Sequence, residues 1–174
     1  MPVLIVLQMK NEMLKAINIL HGEECWSCVA GKGTGSIFSL QFGDRVPRVR
    51  ALNNPHLTEE EKNFDSDMSI MVWSSWNLKR QGAIICNSES NNANDGPMVQ
   101  GLKELIGKKV ESIHAEDPTE QIALSFEGGY DLKIFCDGFQ TYGSDSENYT
   151  LFLPEVSYSA TTDGNIEREG RTSR

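Results

Sequence analysis

The chain has 174 residues, a formal net charge of −9 and a pI near 4.8. Hydrophobic residues make up 39% of it, so its length and composition fit a single domain, 1–174, with a packed core. The acidic balance argues against nucleic-acid or anionic-membrane binding, since neutralising phosphates needs a basic surface, and is compatible with a basic protein partner.

The four cysteines follow no secretory signal, which predicts free thiols in a cytoplasmic protein. There is no 18-residue apolar run, so no membrane span is expected. The short apolar run at residues 3–7 predicts either an edge strand or an extension upstream of a start at Met9.

Residues 10–20 predict an amphipathic helix, because Met13, Ile17 and Leu20 recur at helical spacing. Strands are expected at residues 25–30 and 36–42, joined by a glycine-rich turn. That turn resembles a phosphate-binding loop in composition, but a strand follows it rather than a helix, so a hairpin connection is the better interpretation.

Residues 44–67 are polar and predict a surface excursion with one strand at 48–51 and a helical turn after Thr58. Three arginines, Arg45, Arg48 and Arg50, precede an acidic run. They either grip an acidic partner or a phosphate, or balance the acidic run. The acidic residues are the predicted partner-binding side chains, because charge complementarity speeds encounter with a basic protein: Glu59, Glu60, Glu61, Asp65 and Asp67.

Residues 69–74 and 83–86 predict a strand pair joined through 77–81. Trp73 and Trp76 would lie on opposite faces of a strand, so one of them can be exposed. Exposed tryptophan is enriched at binding hot spots, and Trp76 is therefore added to the partner-binding candidates. The other interpretation places the tryptophans in the core with Met71. Residues 87–96 form a polar loop and the best candidate for a boundary.

A second helix is expected from its cap at Asp95 to Gly107, with Pro97 in its first turn. Strands follow at 109–115, 121–126, 130–136, 149–153 and 156–160, and Gly128-Gly129 marks a tight hairpin turn. Residues 161–174 contain a single large apolar residue and predict a flexible tail.

These elements predict an α+β fold in which two helices pack on a mostly antiparallel, twisted sheet. The helix-then-strands order occurs twice, which fits either two similar halves, 1–92 and 93–160, or ordinary core strands that look alike.

No pattern of catalytic or cofactor-binding residues stands out. Cys25 and Cys28 have C-x-x-C spacing, but an odd separation on a strand points their sulfurs to opposite faces, so core thiols are favoured over a metal or redox site. No cofactor and no metal ligand set is predicted. The alternative to a binding protein is a small enzyme or small-ligand-binding protein whose site is built from scattered residues: Cys136, Asp137 and His114.

The runs at 105–113, 122–126 and 131–137 resemble the second half of small bacterial proteins of unassigned function, some of them immunity proteins of polymorphic-toxin systems. The resemblance implies a non-catalytic cytoplasmic binding protein of bacterial or phage origin that covers the active site of a toxin. It implies no catalytic residues. A monomer is expected, or a homodimer that buries Trp76 and an edge strand.

Overall fold

The computed structural model describes residues 3–116, 121–137 and 147–172. Three α-helices lie in these ranges: α1 (Val3–Ala16), α2 (Glu59–Asn63) and α3 (Pro97–Lys103). None of them is long and apolar enough to cross a membrane. The strands are β1 (Ser27–Val29), β2 (Phe38–Pro47), β3 (Phe64–Val72), β4 (Trp76–Arg80), β5 (Ala83–Asn87), β6 (Val110–Glu116), β7 (Gln121–Phe126), β8 (Tyr130–Ile134), β9 (Glu147–Phe152), β10 (Val156–Thr161) and β11 (Ile166–Gly170).

The strands form two antiparallel sheets that face each other across one core. The first sheet has the order β1-β2-β3-β9-β10-β11, and the second has the order β5-β4-β8-β7-β6. Phe42 stacks on Phe126 of the other sheet with ring centroids 6.4 Å apart, and Phe38 meets the edge of Trp76 at 4.9 Å. The aromatic side chains of β2 therefore hold the two sheets together.

The α+β class with mostly antiparallel strands is confirmed. The finer prediction of two helices packed on one sheet is corrected, because the apolar faces of the two sheets cover each other. The longer helices contact edge strands instead, α1 lying against β11 and α3 against β5. Each sheet also takes strands from both sides of residue 92, so 1–92 and 93–160 do not form separate sheets.

The local patterns with the strongest periodicity are confirmed. β7 and β8 form the predicted hairpin, with Leu124 opposite Leu132 and both turn glycines at positive φ. The helix at 10–20 is present, but it begins earlier, at Val3, and ends in a 3₁₀ turn, Ile17–Leu20. The edge strand expected at 3–7 is therefore wrong, because these residues continue the helix. The second helix has Gly96 rather than Asp95 at its N-cap.

In the polar stretches the observed strands differ from those that the sequence predicts. Residues 48–51 are not a strand, since β2 ends at Pro47. β3 begins in the excursion, at Phe64, because every second residue from Ser66 onward is buried. The expected pair of 69–74 with 83–86 is wrong, because residues 76–80 are themselves strand β4, which pairs with β5 and β8.

The flexible tail predicted for 161–174 is wrong over most of its length. Thr161 ends β10, a turn follows, and β11 pairs with β10 from Ile166 to Gly170. Ile166 is buried and anchors the strand to the core. Residues 173–174 lie outside the described part of the chain.

The packing of α3 on β5 gives a testable prediction. A Cβ at Gly101 would lie 2.5 Å from the sulfur of Cys86. We expect Gly101→Ala to lower the free energy of unfolding by about 1–3 kcal/mol through overpacking, although alanine normally favours a helix. Urea unfolding measures the loss. Adding Cys86→Ala should recover part of it, and a Gly101→Ala variant as stable as the parent would contradict the contact.

Candidate functional site

The predicted partner-binding carboxylates lie on or beside α2, and Glu61 is fixed within the chain. The Thr58 hydroxyl accepts a hydrogen bond from the Glu61 N–H (3.2 Å), and the Glu61 carboxylate accepts one from the Thr58 N–H (2.9 Å), which makes a capping box. The Ser27 hydroxyl also donates to Glu61 (2.6 Å). Glu61 therefore fastens α2 to β1.

The other four carboxylates also have partners within the chain. These are Lys62 for Glu59 (2.7 Å), Arg45 for Glu60, Arg48 for Asp65 (3.4 Å) and the Asp44 N–H for Asp67 (2.8 Å). Two of the three arginines thus pair with acidic residues, in line with the interpretation that they balance the acidic run. Pairing reduces the charge available to attract a basic partner, although Glu59 keeps 82% of its side chain exposed.

Trp76 does not lie on the surface. It is 1% exposed, its ring contacts Phe38, and its indole Nε1 donates to the carbonyl oxygen of Ser36 (2.9 Å). The prediction of an exposed Trp76 in a partner surface or a dimer interface is therefore corrected. The sheet order places it at the start of β4, which is a central strand of the second sheet.

The residues of the alternative enzyme site are not assembled into one centre. His114 is exposed on β6, opposite Ala123 of β7, which in turn lies opposite Lys133 of β8. Lys133 is therefore two strand spacings, about 10 Å, from His114, and Cys136 follows three residues further along, beyond the end of β8. Asp137 accepts a hydrogen bond from the Ser75 N–H (3.1 Å). Within the described ranges, no group of three or more His, Cys, Asp or Glu residues is placed to hold a metal ion.

Cys25 and Cys28 both lie in the core. The expectation of opposite faces holds only within a strand, and Cys25 lies before β1 begins. Burial raises the pKa of Cys25 and of Cys86 to about 12 and that of Cys28 well above its usual value. These three thiols are protonated at neutral pH and are poor nucleophiles.

A different site appears where β9 separates from β3. The ladder joins residues 69–72 of β3 to residues 149–152 of β9, whereas β3 begins at Phe64 and pairs with β2 over almost its whole length. If the β9 ladder continued, Pro154 would stand opposite Asp67, and proline has no N–H to donate. The chain turns into β10 instead. In the described part of the chain no strand lies on this side of residues 64–68.

Arg171 bridges the two strands at the point where they separate. Its Nη1 donates to the carbonyl oxygen of Asp67 in β3 (3.3 Å) and to that of Leu153, just after β9 (2.5 Å). Its guanidinium also lies 5.5 Å from the ring centroid of Phe152. The Arg171 side chain thus donates to the Asp67 carbonyl in place of the backbone N–H that a continued β9 would supply.

Beyond this bridge lies a groove of about 410 Å³, within the size range of ligand sites. It is lined by residues 46–50 and Leu52, by residues 65–67 of β3, and by Pro154, Arg171 and Thr172. We call it the β3 groove. It occupies the end of the sheet where β3, among the strands that the structure describes, has a neighbour on the β2 side only.

Residues 48–58, which we call the strap loop, form one border of the β3 groove. Two backbone hydrogen bonds tie the strap loop to the end of α2, from the Arg48 N–H to Asn63 (2.8 Å) and from the Leu52 N–H to Lys62 (2.9 Å). Val49 is fully exposed and Leu52 is 42% exposed beside the groove. Large apolar side chains displayed next to a concave surface are typical of interaction sites.

The groove is locally basic although the chain is acidic. Three guanidinium groups line it against two carboxylates. Arg48 pairs with Asp65, and Arg171 bonds to uncharged carbonyls, so its charge is not neutralised by them. Arg50 has no hydrogen bond or ion pair with any residue that the structure describes.

Sequence reasoning found only part of this site. Asp65 and Asp67 were predicted as binding residues, and Arg48 and Arg50 were recognised as basic, but nothing indicated that Arg171 would join them. One signal was available: Pro154 directly after a strand-like run marks the end of a ladder.

The comparisons with known proteins give no family. The chain matches no protein-family model, no curated protein and no solved structure. The resemblance of its second half to immunity proteins stays a prediction.

The Arg171 bridge predicts that two arginines of the groove, Arg171 and Arg50, contribute differently to the free energy of unfolding. Arg171→Ala should lower the free energy of unfolding by about 1–3 kcal/mol, because it removes charged hydrogen bonds to two carbonyls. Arg50→Ala, the matched control, should change it by less than about 0.5 kcal/mol. Urea unfolding measures both. Equal effects of the two variants would contradict the bridge.

The buried thiols predict slow chemical labelling of the folded protein. At pH 7.5 a thiol reagent such as DTNB should react with Cys136 alone, because it is only half-buried, and Cys136→Ser should abolish the reaction. Urea should expose all four thiols in the parent chain. Fast labelling of the folded Cys136→Ser variant would show that a core thiol is activated, and would favour the enzyme alternative.

Proposed function

We propose that this chain is a non-catalytic binding protein and that the β3 groove is the seat for a segment of a protein partner. The observation that carries the proposal is the exposed pair Val49 and Leu52 at the border of a groove that also displays Arg50, whose guanidinium has no partner among the described residues. Arginine is enriched at protein interfaces, and the buried centre of an interface is more apolar than its rim. An immunity-type inhibitor of a toxin is the specific form of this function that the sequence resemblance implies.

A second candidate is the basic partner that the sequence predicted, bound through α2. The exposure of Glu59 supports this candidate, whereas the ion pair of Glu60 with Arg45 lowers the negative charge that α2 can offer to a basic partner. The two candidates use different residues, so a single set of variants separates them. Glu59→Lys with Glu60→Lys should weaken binding only if the partner sits on α2.

Random-peptide display against the full chain tests the proposed function. Binding of the selected peptides should fall about tenfold or more in Val49→Ser/Leu52→Ser, because burying two large apolar side chains contributes a few kcal/mol. Ile84→Ser/Ile106→Ser is the matched control, since both isoleucines are also exposed but lie outside the groove. Fluorescence anisotropy measures the affinities.

Each outcome of the display experiment has a defined meaning. Loss of binding in the Val49/Leu52 variant alone supports the groove as the seat. Loss in the Ile84/Ile106 variant alone, or in neither variant, overturns it. Loss in the Glu59/Glu60 variant alone moves the seat to α2.

A further inference from the structure

Resting on the proposed function, we infer that the partner segment in the β3 groove is a carboxyl terminus, whose terminal carboxylate binds the guanidinium of Arg171. The last side chain of this segment is apolar and packs against Val49 and Leu52. Three observations carry the inference: the hydrogen bonds of Arg171, the charges around it, and the end of the groove at this side chain.

One edge of the Arg171 guanidinium makes no hydrogen bond within the described part of the chain. Its Nη1 makes both bonds of the bridge, to the carbonyl oxygens of Asp67 and Leu153, whereas no bond is formed there by Nε or Nη2. In a planar guanidinium the Nε and Nη2 edge points directly away from Nη1, and its two N–H groups form the fork that accepts a carboxylate in a bidentate pair. The bridge therefore holds this fork facing away from the two carbonyls.

The positive charge of Arg171 is not neutralised within the described part of the chain. Its two acceptors are uncharged carbonyls, while Asp65 pairs with Arg48 (3.4 Å) and Asp67 accepts a backbone N–H (2.8 Å). Arg171 is also half-buried, and burial makes an unpaired charge costly. An anion at the fork would offset this cost. Arg50 on the strap loop adds a second positive charge to the same groove.

The groove ends at Arg171, which favours a chain terminus over a segment that passes through. β3 and β9 are paired from Ser69 and Phe152 onward, directly behind the bridge. The residues that line the groove include none of this ladder, which comprises 69–72 and 149–152. A segment with a carboxylate on the fork therefore meets joined strands beyond it. A terminal carboxylate suits this position, because the chain stops there.

The strap loop supplies the apolar contacts for the last side chain. Val49 and Leu52 are exposed and line the groove, with Arg50 between them in the sequence. The last residue of a chain carries both a carboxylate and a side chain. A single apolar residue at the terminus can therefore satisfy the Arg171 fork and the strap loop together, within a groove of about 410 Å³.

Peptides with and without a terminal carboxylate test the inference on the unaltered protein. Random peptides are displayed in two formats, one with free carboxyl termini and one with the carboxyl terminus fused to the carrier. We expect selection from the first format, with an apolar last residue. The best peptide is then synthesised as an acid and as an amide. The acid should bind about tenfold more tightly by fluorescence anisotropy, because the amide lacks the charge that the fork binds.

Two conservative variants test whether Arg171 is the residue that binds the carboxylate. Arg171→Lys keeps a positive charge and a donor for the carbonyls but has no fork, so the preference for the acid should fall to about threefold or less. Arg168→Lys, the matched control on β11, lies outside the groove and should keep the full preference. Urea unfolding checks that both variants fold. The acid and amide peptides decide the question on the parent chain if Arg171→Lys does not fold.

The outcomes distinguish this inference from the proposed function. Equal binding of acid and amide, with both lost in Val49→Ser/Leu52→Ser, overturns the inference and leaves the proposed function standing. Selection from the fused format alone has the same meaning, and so does a full acid preference in folded Arg171→Lys. Binding that survives in Val49→Ser/Leu52→Ser, or selection of no peptide in either format, overturns both. Sodium acetate that binds as tightly as the acid peptide would make this a small-anion site and would overturn the inference.

Discussion

The first sheet is interrupted at one point, where β9 separates from β3, and the surrounding structure depends on how the two strands are held together there. A backbone N–H or C=O that no longer bonds to a neighbouring strand needs another partner, in the protein or in water. Pro154 ends the ladder between β3 and β9 because it cannot donate, and Arg171 then holds the two strands together through their carbonyl oxygens. The last strand, β11, delivers Arg171 to this point. The same side chain therefore joins β3 to the end of β9 and lines the β3 groove.

The charge of the chain is arranged in two levels. Its net charge is −9, yet the acidic residues on and beside α2 have partners within the chain, through ion pairs, a capping box and a hydrogen bond from Ser27. These contacts position α2, and α2 positions the strap loop through two backbone hydrogen bonds. The acidic residues thus act first as the support of a basic groove. A net charge says little about the local field at a site, since neighbouring pairs cancel most of it.

Residue patterns predict an element correctly where one of its faces is apolar and the other is exposed to solvent. The hairpin of β7 and β8 was predicted nearly to the residue, because its alternation and its glycine pair agree. β3 was only half recognised, since Asp65, Ser66 and Asp67 look like a loop until a neighbouring strand buries Ser66. The order of strands in a sheet is a long-range property, and no local pattern could place Arg171 beside residues 65–67, about a hundred positions away in the sequence. The site was missed for the same reason.

An open strand edge is normally a liability, because it can pair with any extended chain. Here the edge is short, it carries two aspartates, and it is bounded by the Arg171 bridge and the strap loop. Charged side chains and short length are the means by which sheets avoid indiscriminate pairing. The side chains that border the β3 groove thus also protect this end of the first sheet from pairing with other chains.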